Sequence, residues 1–219
     1  MRTYFTADAH FQHGNIIRYT KRPWVKPSDL DAKGQWISKE IENKRIEKMN
    51  KTIINNFNQK LKDGDKIYHI GDFCFKGGKE ASGKTKAQYF ESLINAPITH
   101  ILGNHDGNNG IKAGLESATI RFANKTFFLV HRPPLKPSQI PQGVDAVLCG
   151  HVHNNWKHKW CGAIPIINIG VDVWNFNLVS TQDVAVYYEK MMRESGRDPN
   201  PRATARQKAK QKAKNKAKK

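Results

Sequence analysis

Residues 98–106 read ITHILGNHD, and the fold turns on how that stretch is read. Ile98 to Leu102 is a short run of β-branched and apolar residues of strand composition, and it stops at Gly103, where the backbone can turn sharply. Directly beyond stand Asn104, His105 and Asp106: an amide, an imidazole and a carboxylate. One polar cluster after one strand is an ordinary turn. Working outward, the arrangement recurs at four more strand ends. Arg2–Thr6 leads to Asp8 and His10, Lys66–Ile70 to Gly71 and Asp72, Thr126–Val130 to His131, and Ala146–Cys149 to Gly150, His151 and His153. Ligands of layered α/β proteins bind beyond the carboxyl ends of strands, so these loops are expected to open onto one site.

The rest of the chain supplies the layers. A helix is expected from about Gln35 to Leu61, because Met49, Ile53, Phe57 and Leu61 recur every four residues and form one apolar face. A second is expected over 85–95, and a third from Ser180, with Asp183 completing a capping box. Further strands are expected at Thr119–Phe122 and Ile164–Ile169. The first of these forms a hairpin with Thr126–Val130 through Ala123-Asn124-Lys125. Strands alternating with helices, followed by a run of mostly strands, indicate an α/β sandwich.

In order, D-x-H at Asp8/His10, G-D at Asp72, G-N-H-D at 103–106, the lone His131 and G-H-x-H at 150–153 resemble the signature blocks of the calcineurin-like metallophosphoesterase superfamily. The resemblance spans Asp8 to His153 and implies an α/β fold, a four-layer α-β-β-α sandwich, with two divalent metals at its strand ends. Carried over residue by residue, Asp8, His10 and His153 would hold the first metal. Asn104, His131 and His151 would hold the second, and Asp72 would bridge them. His105 would be the catalytic histidine that stabilises the phosphoryl oxygens or protonates the leaving group, with Asp106 orienting it. Imidazole, carboxylate and amide donors without thiolate suit Mn²⁺, Fe, Zn²⁺ or Ni²⁺ better than Ca²⁺ and do not single out one of them; Mn²⁺ is the first expectation.

Departures within the family bear on substrate. The phosphoprotein phosphatase branch carries an arginine in its second block where this chain reads GDFCFKGG, with Lys76 in that place. The opening YFTADAHFQHGNII is similar instead to small bacterial and phage members of the superfamily. His13, Asn15 and Arg18 follow the first block closely enough to reach the same crevice, and with Lys76 they are candidate substrate contacts. His69, inside its strand, is expected to pack.

Charge points to the partner class. The 219 residues carry 37 Lys and Arg against 19 Asp and Glu, a net +18. Half of that excess lies in residues 197–219, RDPNPRATARQKAKQKAKNKAKK, which have too little apolar surface to fold alone and are expected to form a disordered tail after a domain spanning 1–196. With the Lys-rich loop 76–86, this suits a nucleic-acid or nucleotide partner, since each neutralised phosphate releases counterions. The expected function is therefore hydrolysis of phosphodiesters, with a phosphomonoesterase as the alternative. A non-catalytic adaptor of the same fold is disfavoured because every ligand position is filled. Three cysteines without a CxxC pair, and no apolar segment of membrane-spanning length, lead to the expectation of a cytoplasmic protein with no membrane partner.

Overall fold

A computed structural model describes residues 1–75 and 83–198. Lys76 and positions 199–219 of the basic tail lie outside the described residues. The chain divides into two compact units, Met1–Thr181 and Gln182 onward, so the boundary expected at residue 196 falls within the second.

In chain order the first unit contains β1 (Thr3–Thr6), α1 (Gly14–Tyr19), α2 (Lys39–Lys60), β2 (Lys66–Ile70), α3 (Lys86–Glu91), β3 (Ile98–Ile101) and β4 (Gly114–Leu115). There follow β5 (Ser117–Phe122), β6 (Lys125–Val130), β7 (Ala146–Cys149), β8 (His158–Cys161), β9 (Ile164–Asn168) and β10 (Val179–Ser180). The helix expected from Ser180 is α4, Thr181–Glu194; its buried Val184, Tyr188, Met191 and Met192 recur at helical spacing along one face.

Two five-stranded sheets form, in the orders β10-β1-β2-β3-β4 and β5-β6-β7-β9-β8. Strands β1 to β4 are mutually parallel, as are β6, β7 and β9, while β10, β5 and β8 pair antiparallel at the edges. The parallel core matters for function: it brings the carboxyl ends of β1, β2 and β3 to one edge, and those of β6 and β7 to one edge of the other sheet.

Side-chain alternation decides what each face meets. Along β2, Ile67 joins the core shared with Met49, Ile53 and Phe57 of α2 and Phe90 of α3. Tyr68, on the opposite face, stacks on Phe5, which in turn stacks on Phe122 of the second sheet at 5.6 Å. The two sheets therefore face each other, with helices covering the outer face of the first. On the second sheet Val147, Cys149, Cys161 and Ile166 form a further cluster, flanked by Ile140 and Trp156 from connecting segments. Each fully buried α2 side chain contributes roughly 1.5–3 kcal/mol.

Element ends follow local chemistry. Helix α2 starts at Lys39 instead of Gln35 because the Ser38 hydroxyl accepts from Ile41 N and leaves the preceding chain extended. Helix α3 starts after the expected Thr85, in a capping box where Thr85 Oγ1 accepts from Gln88 N and Gln88 Oε1 accepts from Thr85 N. It stops at Glu91, short of the expected Asn95, whose amide N donates instead to Asn58 Oδ1 of α2. The hairpin turn is a residue shorter than expected: Lys125 pairs with Phe122, and Ala123 (φ 47°) and Asn124 (φ 58°) alone make the connection.

Both turn residues adopt the left-handed conformation that matches strand twist, which alanine tolerates poorly. Ala123→Gly should raise stability by about 0.5–1 kcal/mol after allowance for glycine's freer unfolded chain, read as a higher urea midpoint at unchanged slope.

Candidate metal centre

The seven ligand candidates come from five loops, and the backbone bends abruptly to bring them together. Asp8 (φ 57°), His10 (φ 50°), Asp72 (φ 57°), His151 (φ 72°) and His153 (φ 47°) all lie in the left-handed region, although none is glycine. Such residues cost about 1–3 kcal/mol each and persist only where their surroundings hold them. Here Asp8 N donates to Gly71 O and His10 N to Asp72 O, both at 3.0 Å, tying the β1 loop to the β2 loop. His151 N donates to both carboxylate oxygens of Asp8, at 3.0 and 2.9 Å, tying the second sheet to the first. A Cβ on Gly103 would collide with the Asp72 carboxylate, so this close approach of the β3 loop requires glycine.

Two groups of donors result, each with its ligand atoms within 4.8 Å of one another: Asp8, His10 and His153, and Asp72, His131 and His151. Asp72 Oδ2 stands between them, 3.5 Å from His10 Nε2 and 3.3 Å from His131 Nε2. Asn104 Oδ1 lies 3.2 Å from His131 Nε2, on the second group's side. All seven expected ligands are thus brought to one place.

The donor set fits divalent metals. His10 Nε2 is buried without a hydrogen-bond partner, and Asp8, fully buried, has its carboxyl pushed up to about 6, mainly by that burial, against the lowering influence of His153 and His131. Burial would also raise Asp72. The hydrogen bond from His131 and the charges of His131 and His10 instead hold it well below the usual carboxylate range. His131 is the counterpart: burial disfavours its cation, yet the bond to Asp72 and the charge of Asp8 raise it to about 9. His10 is driven far down, chiefly by burial. A carboxylate and an imidazole nitrogen buried this deeply and within 4.8 Å of one another are groups a cation would satisfy.

Ring orientation is fixed from behind. His131 Nδ1 donates to Ile70 O at 2.9 Å and His153 Nδ1 to Asp172 Oδ2 at 3.0 Å, so each presents Nε2 to the site. The second of these contacts was not anticipated. Asp172 also takes Arg22 Nε at 2.8 Å, and Arg22, 1% exposed, bonds Asp8 O at 2.7 Å and Ala9 O at 3.0 Å. Arg22 and His153 together hold the Asp172 carboxyl well below its ordinary range despite its burial. Asn168 completes the frame, donating from Nδ2 to His153 O and Trp156 O and accepting from Gly170 N. Asp172 did carry a signal: it follows the β9 run and Gly170, repeating the strand, glycine, carboxylate order of the other loops. Arg22, inside the basic stretch TKRPW, carried none.

Asp106 does not act as expected. Its carboxylate accepts from Asp72 N (2.7 Å), Gly103 N (2.8 Å), Phe73 N (3.0 Å) and Asn109 Nδ2 (2.6 Å). Those four donors occupy it, and it holds the backbone at Asp72 instead of the His105 ring. His105 is exposed, with its ring 5.5 Å from that of His10 and its N donating to Asp72 Oδ1 at 2.9 Å.

Among the candidate substrate contacts, His13 is buried, lies flat on Phe75 with centroids 3.8 Å apart, and places Nδ1 3.3 Å from His10 Nδ1. Burial, with His105 nearby, lowers it to about 4. His13 and Asn15 both line a cavity of about 470 Å³ beside His10, His105 and His153. Arg18 does not: its guanidinium bonds Gly34 O and Asn15 Oδ1. Lys76 lies outside the described residues. His69 packs as expected, edge-on to Phe73 at 5.0 Å.

Residues 49–186 match the family model of the calcineurin-like phosphoesterase superfamily domain. The chain belongs to this superfamily of metal-dependent phosphoesterases, and its two-sheet α/β architecture is of that type. Asp8 and His10 precede the matched span and join the site through the contacts above. More particularly, the chain is 30% identical over 193 residues to the uncharacterized protein MJ1445 of Methanocaldococcus jannaschii, covering 86% of this chain and 92% of that one. Its structure is similar to that of AQ665 from Aquifex aeolicus, a protein of unknown function, with a TM-score of 0.57, 21% identity and coverage of 84% and 97%. A novel archaeal phosphodiesterase aligns with a TM-score of 0.40 and 17% identity over 78% of this chain and 84% of its own.

Asp172→Asn should weaken divalent-metal binding at the Asp8 group about 10–100-fold, because His153 loses its charged anchor. It should also destabilise the fold by roughly 3 kcal/mol, since Arg22 keeps its buried charge without a counter-ion. Metal titration and urea unfolding of the same variant read the two effects. Asp106→Asn should cost about 2–4 kcal/mol, because an amide cannot accept from all the N–H groups now gathered there, and chemical denaturation checks it.

Proposed function

We propose that the chain is a two-metal phosphodiesterase acting on nucleic-acid or nucleotide phosphodiesters. The observation that carries the reading is the position of Asp72 Oδ2, within 3.5 Å of His10 Nε2 and 3.3 Å of His131 Nε2, so that one carboxylate oxygen faces both donor groups. Asp8, His10 and His153 would hold one ion and Asn104, His131 and His151 the other, with Asp72 shared. Mn²⁺ is the first choice, and Fe, Zn²⁺ and Ni²⁺ are compatible with the same donors. Held there, a pair of such ions would supply an acidified water and charge stabilisation for a displacement at phosphorus.

The chain's own groups do the rest. Exposed beside His10, the His105 ring is free to donate to a phosphoryl oxygen or to the departing alkoxide, and its backbone bond to Asp72 fixes where it starts. Asp106 holds the Asp72 loop, and Asp172 and Asn168 hold the His153 loop, so the polar groups are preorganised. The net +18 supports a polyanionic partner, met by the Lys-rich loop and basic tail. Three buried, unpaired cysteines fit a reducing cytoplasm, and no helix among the described residues is long and apolar enough to cross a membrane.

Hydrolysis of bis-p-nitrophenyl phosphate, p-nitrophenyl phosphate and single-stranded DNA and RNA with Mn²⁺ tests the reading. The diesters should be preferred, with two metals bound per chain. His105→Ala should lower kcat by about 10²–10⁴-fold with metal content retained, whereas Asp72→Asn should lose both metal and activity. Preference for the monoester would make the chain a phosphomonoesterase. Full metal loading with no turnover of any ester would leave a metal-holding adaptor.

A further inference from the structure

We infer that the 470 Å³ cavity beside the Asp8–His10–His153 group is a subsite for one nucleoside of the substrate, with Tyr19 as its stacking face and Asn15 and Asn154 as its polar contacts. The inference rests on the phosphoesterase reading and names what its phosphate is esterified to. The cavity is open to solvent and of a size that takes a small molecule. Among the described residues lining it there is no lysine, arginine, aspartate or glutamate, although the whole chain carries +18. Among the described lining residues no fixed cation stands ready for a further phosphate. Such a wall suits the uncharged part of an ester.

The polar groups that remain are complementary. Asn15 Oδ1 accepts from Arg18 Nη2 at 2.6 Å, which leaves the amide's donor end for a ligand. Asn154 Nδ2 donates to Thr20 O at 2.9 Å, which leaves its acceptor end. One donor and one acceptor held by neighbouring groups match the edge of a nucleobase. Tyr19 is 68% exposed and is the only aromatic among the strongly exposed large apolar side chains described. Arg18 lies over its ring at 5.4 Å, covering one face, and a base stacked on the other would complete the sandwich. Arg18, fastened to Gly34 O, thus backs both Tyr19 and Asn15 and is a positioning residue.

The test compares thymidine 5′-(p-nitrophenyl phosphate) with methyl p-nitrophenyl phosphate. These share a leaving group and differ in the other alcohol. In the full chain with Mn²⁺, kcat/KM should favour the nucleoside ester at least tenfold. Tyr19→Ser should cut that ratio about tenfold, the size of one base–aromatic stack, and Tyr19→Phe should keep it. Equal kcat/KM for the two esters in the wild type would overturn the nucleoside subsite while leaving the phosphoesterase intact. Should neither ester be cleaved, the phosphoesterase reading fails and binding decides the subsite. Calorimetry should then show thymidine 5′-monophosphate binding at least tenfold more tightly than ribose 5-phosphate, and equal affinities would overturn it. A ten-residue oligothymidylate separates the sources. Affinity at low salt no greater than that of the mononucleotide points to free nucleotides, whereas tighter binding that still weakens with Tyr19→Ser points to a nucleic-acid end.

Discussion

Everything at this site depends on a geometric constraint: side chains leaving parallel strands in two different sheets must converge within 4.8 Å. A strand continuing in its own direction would carry its ligands outward. The chain reverses at once, through left-handed residues at Asp8, His10, Asp72, His151 and His153. At about 1–3 kcal/mol apiece this strain is large against the total stability of a domain, so it has to be held by something beyond local preference. Part of the restraint is backbone to backbone, from the β1 loop to the β2 loop, and part is the paired bond from His151 N to Asp8. Asp8 therefore has two duties, since the carboxylate offered to a metal also ties one sheet to the other.

Two buried carboxylates that are not ligands do comparable work. Asp106 gathers N–H groups from the β2 and β3 loops, and Asp172 sits between Arg22 and His153. The pattern is the same in both: a charge desolvated at a cost of several kcal/mol is matched by several convergent donors, and the reward is the position of a neighbouring ligand. Arg22 is the least replaceable member. One guanidinium bonds the backbone of the first candidate ligand block and the carboxylate behind the last, joining positions 8 and 172. Lysine, a point charge, would not span both.

What the sequence made legible follows the range of each interaction. Strands were readable because β-branched runs end at glycine or at a polar residue, and ligands were readable because they follow those ends directly. Helix starts followed from caps within three residues, as at Thr85. The start of α2 was misjudged although its Ser38 cap is local, and other misjudged features depended on distant partners. Helix α3 is shortened by Asn58, 37 positions away from the amide it captures, and Asp106 is diverted by Asp72, 34 positions away. Nothing local distinguishes Asp106 in GNHD from a carboxylate aimed at the adjacent His105. Strand β8 reads HKWC, too polar for a run of strand composition, and forms because β9 offers it an edge.

Charge and shape also divide the labour of recognition. A basic chain attracts polyanions from a distance, but within a Debye length, about 10 Å at ordinary ionic strength, the local wall decides what is held. At this wall the long-range attraction has no counterpart, since among the described residues amides, imidazoles and rings line the cavity and no lysine or arginine does. The basic residues would raise the encounter rate with any phosphate-bearing partner indiscriminately. In the proposed subsite, discrimination between one ester and another would fall to Asn15, Tyr19 and Asn154, and through them to Arg18, which spends its charge inside the protein, on Gly34 and Asn15. A cationic residue in a basic protein thus acts as a strut, holding the groups proposed to meet the substrate.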